Sequence, residues 1–133
     1  MEVINFEDFK KLEIRIGKII SAEKVENSEK LLKLNVDFGS IVGGTSDVPP
    51  TTNNREIRQV IAGIAQYYEP EALIGKECPF AYNLAPRVLA GLESQGMILC
   101  ASASLSTFGP SDASSQPVLL HPDKEIPPGA LIK

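Results

Sequence analysis

Two segments near the N-terminus alternate apolar and polar side chains, and this period of two constrains the chain to a β-sheet. Every second residue is apolar from Leu12 to Ile16 and again from Leu32 to Phe38, which is typical of strands with one face in a core. The first pattern changes phase at Gly17-Lys18. A glycine at a phase change predicts a bulge, the feature that lets a strand curl around a barrel corner.

The remaining patterns predict three more strands and one short helix. Asn27-Ser28 supplies turn chemistry between the first two strands. The later elements are, in order, a strand over Arg55–Ala62, a helix over Pro70–Gly75, a strand over Cys78–Leu84 and a strand over Met97–Ala101. This is the order of the five-stranded Greek-key OB-fold barrel. We therefore expect a mainly all-β fold with a short helix between strands 3 and 4 and a C-terminal extension.

The length of 133 residues suits one domain, because a chain of this size forms one good core. Two stretches, Gly39–Asn54 and Ala103–Gln116, are rich in small and polar residues and predict irregular connections. No apolar run approaches the ~18 residues that cross a bilayer. The N-terminus lacks the basic and apolar regions of a signal peptide, so we expect a cytoplasmic protein.

The sequence offers no catalytic constellation. His121 is the only histidine, and no candidate nucleophile stands at a diagnostic spacing from it. Cys78 and Cys100 lie in apolar surroundings, where we expect reduced core thiols. A zinc site would need about four ligands at short spacing, and no G-x-x-x-x-G-K-[ST] phosphate loop is present. We therefore predict a protein that is not an enzyme and that uses no cofactor and no metal.

The distribution of charge matters more than its total of −4. The stretch from Lys10 to Lys33 holds seven basic and four acidic residues, a net charge of +3, which leaves −7 for the rest of the chain. A locally basic end on an acidic protein fits a site with a few placed phosphate contacts. A mixed, solvated surface fits equally well, so charge alone leaves both interpretations open.

The aromatic residues indicate which kind of nucleic acid such a site would suit. Phe38, Phe80 and Tyr82 share the phase of the core residues in their strands, so they offer no platform on which bases could stack. The opposite phase carries polar and basic side chains instead: Arg15, Lys18, Lys33, Asn35 and Asn83. Such a face can bind phosphates and 2′-hydroxyls, which favours a folded RNA recognised by shape and backbone over an unstructured strand.

The segment Asn83–Met97 lies between the fourth and fifth predicted strands, where an OB barrel displays its ligand loop. Loop chemistry alone also suits a plain connector. The segment resembles the N-L-x-P-[RK]-x-[LM]-x-G-x-x-S-x-G-M signature of the tRNA-binding domain family. That family includes C-terminal appendices of methionyl-tRNA synthetases, EMAP-II-like cytokine precursors and free-standing dimeric tRNA-binding proteins.

Other parts of the chain carry the same resemblance, which covers roughly residues 6–102 and the ending. The matching segments are Phe9–Ile19, Lys30–Gly39, Arg58–Gly63, Tyr67–Gly75 and Pro122–Gly129. The chain departs from the family in its acidic net charge, which is less common for a tRNA binder, and in two segments. The turn Glu26–Glu29 replaces the family's His-Pro-x-Ala-Asp, and Gly39–Asn54 is longer than the family norm.

The resemblance implies a module that grips the outer corner of the L-shaped tRNA. Carried over position by position, the expected contacts are Lys30, Lys33, Asn83, Arg87, Ser94, Gln95 and Met97, with Arg15 and Lys18 as weaker candidates on the same face. The basic groups would bind phosphates, Asn83 and Ser94 would form hydrogen bonds, and Met97 would either lie against a base or be buried in the fifth strand.

The resemblance also implies partners. Members assist an aminoacyl-tRNA synthetase, here of the methionyl type, in cis or as a separate subunit, and free-standing members are homodimers. We expect residues 1–102 to form the OB-fold domain and residues 103–133 to pack on it and form the dimer seam. The alternative is a protein-binding module similar to the secretion-chaperone branch of the same fold family, which the acidic overall charge would suit.

Overall fold

The structure is a computed structural model that describes residues 1–40, 55–102 and 116–133. The two predicted irregular connections, Gly39–Asn54 and Ala103–Gln116, fall almost entirely outside the described residues. The elements are α1 (Phe6–Lys10), β1 (Ile14–Lys24), β2 (Leu32–Ser40), β3 (Arg55–Ala62), α2 (Pro70–Leu73), β4 (Glu77–Ala81), β5 (Arg87–Leu89), β6 (Leu92–Ser94), β7 (Met97–Ile98), β8 (Cys100–Ala101), β9 (Val118–Leu119) and β10 (Leu131–Ile132).

The main sheet is antiparallel, with the strand order β3-β2-β1-β4-β7. β1 has 11 residues and pairs with three strands, because its first part pairs with β4 and β10 and its second part pairs with β2. The helix α2 lies between β3 and β4. This arrangement confirms the predicted mainly all-β barrel fold with a short helix between strands 3 and 4. Neither helix in the described part of the chain has the length to span a bilayer.

Apolar residues that alternate along the sheet strands form the core. Their members include Ile19, Leu34, Val36, Val60, Phe80 and Ile98. The rings of Phe38 and Phe80 meet edge to face with centroids 5.4 Å apart, and Tyr82 packs against the same cluster. The core phase predicted for these aromatic residues is confirmed.

Gly17 faces this core from β1, and there is no room for a larger residue. A Cβ at this position would lie 2.4 Å from Cγ1 of Val36 and 2.8 Å from Cε1 of Phe38. The register of β1 against β2 shifts between Ile19 and Ser21. The predicted bulge at Gly17-Lys18 is therefore wrong in its position. Close packing explains the glycine, and the register shift beyond it explains the change of phase.

The C-terminal segment adds a strand to β1, because β10 pairs with the start of that strand. Gly129 donates a hydrogen bond to the Ile16 carbonyl at 2.7 Å, and Ile16 donates one to Ala130 at 2.9 Å. The segment crosses the end of β2 where two glycines with positive φ, Gly39 and Gly129, allow backbone to meet backbone. A separate role for residues 103–133 stays a prediction.

Two strand boundaries differ from the sequence pattern. β4 ends at Ala81, short of the predicted Leu84, because the Asn83 side chain takes over the hydrogen bonding there, as described below. The predicted fifth strand is two short strands separated by Leu99. The first of them, β7, pairs with β4, and the second, β8, pairs with β9.

Candidate nucleic-acid interface

A small hairpin occupies the segment between β4 and β7. β5 pairs with β6 through Arg87 opposite Ser94 and Leu89 opposite Leu92. The two turn residues, Ala90 and Gly91, have φ of 50° and 79°, as two-residue hairpin turns with positive φ at both positions require. The sequence predicts a loop here but not the hairpin, because Ala-Gly is a weaker turn signal than Asn-Gly.

Backbone and side-chain hydrogen bonds join the end of this hairpin to β3. Gln95 donates its backbone N–H to the Gln59 carbonyl at 2.8 Å, and its side-chain oxygen accepts from the Gln59 N–H at 3.1 Å. The Gln59 side chain in turn donates to the Glu93 carbonyl at 2.8 Å. Gln59 was not among the predicted site residues, although its position on the polar phase of β3 could have indicated it.

Ser94 makes the buried hydrogen bond that joins the hairpin to β3. Only 4% of its surface is exposed. Its Oγ accepts from the Ile61 N–H at 2.9 Å and donates to the Gly96 carbonyl at 3.0 Å. Because both of these bonds lie within the protein, any effect of Ser94 on a ligand has to come through the position of the hairpin.

Asn83 has a similar positioning role at the end of β4. Its side-chain oxygen accepts from the Glu13 N–H at 2.7 Å, and its side-chain nitrogen donates to the Lys11 carbonyl at 2.7 Å. The amide thereby replaces the backbone of a strand residue and joins the start of β1 to the segment that leads into the hairpin. Both ends of the Asn83 amide are used, so its expected hydrogen bond to a ligand stays a prediction.

The structure does not place Arg15 on the predicted face. Arg15 lies on the same face of β1 as Gly17, with its guanidinium 5.0 Å from the centre of the Tyr82 ring. Its Nη1 donates to the Gly129 carbonyl at 2.9 Å and its Nε to Glu13 at 2.8 Å. The phase of β1 was assigned from its isoleucines, but Gly17 faces the core residues Val36 and Phe38, so Arg15 lies on the core-facing side.

Tyr82 is the centre of a polar cluster at this end of the barrel. The Arg58 guanidinium lies 3.7 Å from the ring centre and donates to the Tyr82 carbonyl at 2.7 Å. The Tyr82 hydroxyl donates to the Glu56 carboxylate. Burial raises the pKa of Tyr82, and this hydrogen bond raises it further. The guanidiniums of Arg15 and Arg58 are therefore held by contacts within the fold.

Lys18 lies on the outer face of β1 but away from the hairpin. It stands opposite Glu77 of β4 and lines a cleft of about 320 Å³ with Glu125, Pro127 and their neighbours. Of the two weaker candidates, neither Arg15 nor Lys18 is brought to the hairpin.

Lys33 lies on the outer face of β2, between Glu23 of β1 and Ile61 of β3. Its ammonium is 2.6 Å from the Glu23 carboxylate. Lys33 lines a cleft of about 490 Å³ whose other wall includes Ala90 and Leu92 at the tip of the hairpin. The lysine and the hairpin therefore face the same space.

Arg87 and Met97 lie around a smaller cavity, of about 30 Å³, beside this cleft. Ile61, the strand partner of Lys33, lines the same cavity. Arg87 is exposed and has no ion pair with any described residue. Met97 is 43% exposed, which excludes the interpretation that it is buried in the fifth strand. The structure thus brings Lys33, Arg87 and Met97 to one surface.

Lys30 precedes β2 in an exposed turn. Its backbone N–H donates to the Ser28 Oγ at 3.3 Å and its carbonyl accepts from Ala65 at 3.0 Å. Asn27 has a φ of 66° in the same turn, so the turn chemistry predicted at Asn27-Ser28 is confirmed. The Lys30 ammonium makes no ion pair in the described part of the chain.

Comparison with known proteins identifies the family to which this surface belongs. The family model described as "Putative tRNA binding domain" matches residues 51–131. The chain belongs to the tRNA-binding domain family. A methionine–tRNA ligase of Methanococcoides burtonii is 43% identical over 131 residues, which cover 98% of this chain and 16% of the ligase. The chain thus spans about a sixth of the length of the curated relatives that it matches.

Two solved structures resemble this chain in fold. A methionyl-tRNA synthetase related protein from Pyrococcus horikoshii has a TM-score of 0.77 and 32% identity, and the match covers 100% of both chains. The chaperone CsaA of Bacillus anthracis has a TM-score of 0.72 and 30% identity, covering 99% of this chain and 100% of CsaA.

Proposed function

We propose that this chain is a non-catalytic protein that binds folded tRNA through the surface formed by Lys33, Arg87 and Met97. The observation that carries the proposal is the position of Arg87. The other arginines, at positions 15, 55 and 58, each pair with a carboxylate of the fold, whereas Arg87 is exposed at the base of the hairpin without an ion pair among the described residues. An arginine fork presented in this way suits phosphate oxygens.

The surface favours recognition by backbone and shape. Phe38 and Phe80 are buried in the core and Tyr82 is held between arginines, so these rings are not available for stacking on unpaired bases. Lys30, Lys33 and Arg87 contact phosphates, and Met97 lies against a base or ribose. Asn83, Ser94 and Gln95 act by holding the hairpin in place.

We also propose that the chain assists a methionyl-type aminoacyl-tRNA synthetase, either as a part of it or as a subunit. The similarity to methionine–tRNA ligases supports this role. The apolar strand β10 is exposed, with Leu131 at 48% and Ile132 at 40%, which supports a homodimer seam in the C-terminal segment. A monomer in light scattering at micromolar concentration would exclude that seam.

The test is a filter-binding titration with bulk tRNA at two salt concentrations, with a single-stranded oligonucleotide as competitor. We expect saturable, salt-sensitive binding that the oligonucleotide fails to displace. Lys76→Ala is a matched control for the loss of Lys33 or Arg87. It also removes one positive charge, but at a cleft formed with His121 and Lys124 and not with the hairpin, so it should leave tRNA affinity nearly unchanged. No binding at low salt would refute the proposal.

The alternative is a protein-binding function, which the similarity to the chaperone CsaA favours. The exposed apolar side chains of Val3, Ile4 and Phe6 in the N-terminal segment would suit that function. Suppression of aggregation of an unfolded protein, retained in the Lys33→Ala/Arg87→Ala variant, would distinguish chaperone activity from RNA binding.

A further inference from the structure

We propose that Glu23 acts as a counter-ion that bound RNA must displace from Lys33, and that it thereby lowers the affinity of the chain for RNA. The inference deepens the proposed tRNA binding and rests on it. The juxtaposition that carries it is the ion pair between Glu23 and Lys33 on the wall of the hairpin cleft.

The sheet enforces this pair. Glu23 and Lys33 are directly opposite in the antiparallel ladder of β1 and β2, so their side chains leave the same face of the sheet. The distance from Nζ to Oε1 is 2.6 Å. The lysine side chain is 29% exposed and the glutamate side chain 63%. A phosphate that approaches the Lys33 ammonium from the cleft therefore meets the Glu23 carboxylate beside it.

The cleft carries no excess of positive charge that would offset the Glu23 carboxylate. The charged side chains that line it are Glu23, Lys24, Glu26 and Lys33, and their charges cancel. Lys24 makes no ion pair with the described residues, so it is available to a phosphate without an exchange of partners. The Lys33 ammonium becomes available to a phosphate only when its ion pair with Glu23 breaks.

Displacement has two measurable consequences. Affinity is lower than the lysines alone would give, because one exposed ion pair is lost on binding and the carboxylate stays close to the phosphate. The salt dependence is also weaker, because the freed carboxylate attracts a cation and so offsets part of the counterion release at Lys33. A residue that only stabilised the sheet would change neither.

The test uses Glu23→Gln in the full chain, titrated with bulk tRNA over a series of salt concentrations. We expect binding about two- to fivefold tighter at low salt, from the small strength of such pairs. The plot of log affinity against log salt should steepen by at most one contact, ~0.7–0.9. Glu23→Ala should give the same gain, since the effect depends on removing the carboxylate.

Two controls separate displacement from a general change of charge. Glu26→Gln removes the same charge from the same cleft but leaves the Lys33 pair intact, so it should tighten binding less than Glu23→Gln. In a Lys33→Ala background, the gain from Glu23→Gln should fall to the size of the Glu26→Gln gain, because only the removal of a negative charge is left. A gain as large in that background as in the wild type, or an unchanged affinity of both Glu23 variants, would overturn the inference alone. A wild-type chain that binds no tRNA would overturn the proposed function as well.

Discussion

Replacing Ser94 with alanine tests whether the hairpin acts as a positioned unit. The substitution removes the acceptor for the buried Ile61 N–H and the donor to the Gly96 carbonyl. A buried group left without a partner costs about 1–3 kcal/mol, and Ser94 is almost fully buried. We therefore expect the free energy of unfolding to fall by about 2 kcal/mol, measured by urea denaturation.

The same variant should bind tRNA more weakly without losing a phosphate contact. A hairpin less firmly held to β3 has to be ordered on binding, which would weaken affinity by roughly three- to tenfold, as about 1 kcal/mol of ordering implies. The slope of log affinity against log salt should stay unchanged, because Ser94 does not touch a phosphate. Ser94→Thr, which keeps a hydroxyl, is the control for the hydrogen bonds.

Either of two results would refute this reasoning. A salt slope reduced by ~0.7–0.9 would mean that Ser94 contributes to a phosphate contact. An unchanged free energy of unfolding would mean that the bonds to Ile61 and Gly96 do not fasten the hairpin.

Three further predictions concern charge, packing and titration. Lys33→Ala and Arg87→Ala should each weaken tRNA binding uniformly across sequences and lower the salt slope by ~0.7–0.9; an unchanged affinity in the double variant would disprove this placement of the site. Gly17→Ala should destabilise the fold by about 1–3 kcal/mol in urea, because its Cβ would lie 2.4 Å from Cγ1 of Val36, and equal stability would contradict the packing described. Burial raises the pKa of the Cys78 thiol to about 11, so its contribution to stability is complete below the unfolded value of about 8.5 and is lost as pH rises towards 11. Unfolding free energies at pH 8 and pH 10.5 should show that loss, and the loss should be smaller in Cys78→Ala.

The sequence was sufficient for the order of the five main strands and α2, because each of those strands has its own apolar pattern and α2 has its proline and glycine. It did not predict α1, the β5–β6 hairpin, β9 or β10. It was not sufficient for β1. Ile14 and Ile16 alternate as core residues do, yet Gly17 is the residue that faces Val36 and Phe38. Ile16, whose backbone bonds to Gly129 and Ala130, is buried on the other face. A pattern records only that a side chain is apolar, and a distant segment decides which face is covered.

The same limit applies to the candidate site. The family signature identified Ser94 and Gln95, but it could not distinguish a residue that contacts a ligand from one that holds the hairpin. That distinction depends on Gln59 and Ile61, which lie more than thirty positions earlier in the chain. Lys33 was identified correctly as an outward residue of β2, whereas its pairing with Glu23 depends on the register of two strands.

RNA binding by an acidic chain, as proposed here, depends on which charges remain after ion pairs within the fold have formed. Net charge counts Arg15 and Arg58 as basic, but their guanidiniums are bound to Glu13 and Glu56 at the end of the barrel. What an RNA meets is the charge left after such pairs have formed, on the face that it approaches. Around the hairpin, Arg87 and Lys24 are left without an ion pair to a described residue. The affinity of this chain should therefore follow the local pairs at that surface, and substitutions that change total charge elsewhere should leave it nearly unchanged at physiological salt, where screening acts over about 8 Å.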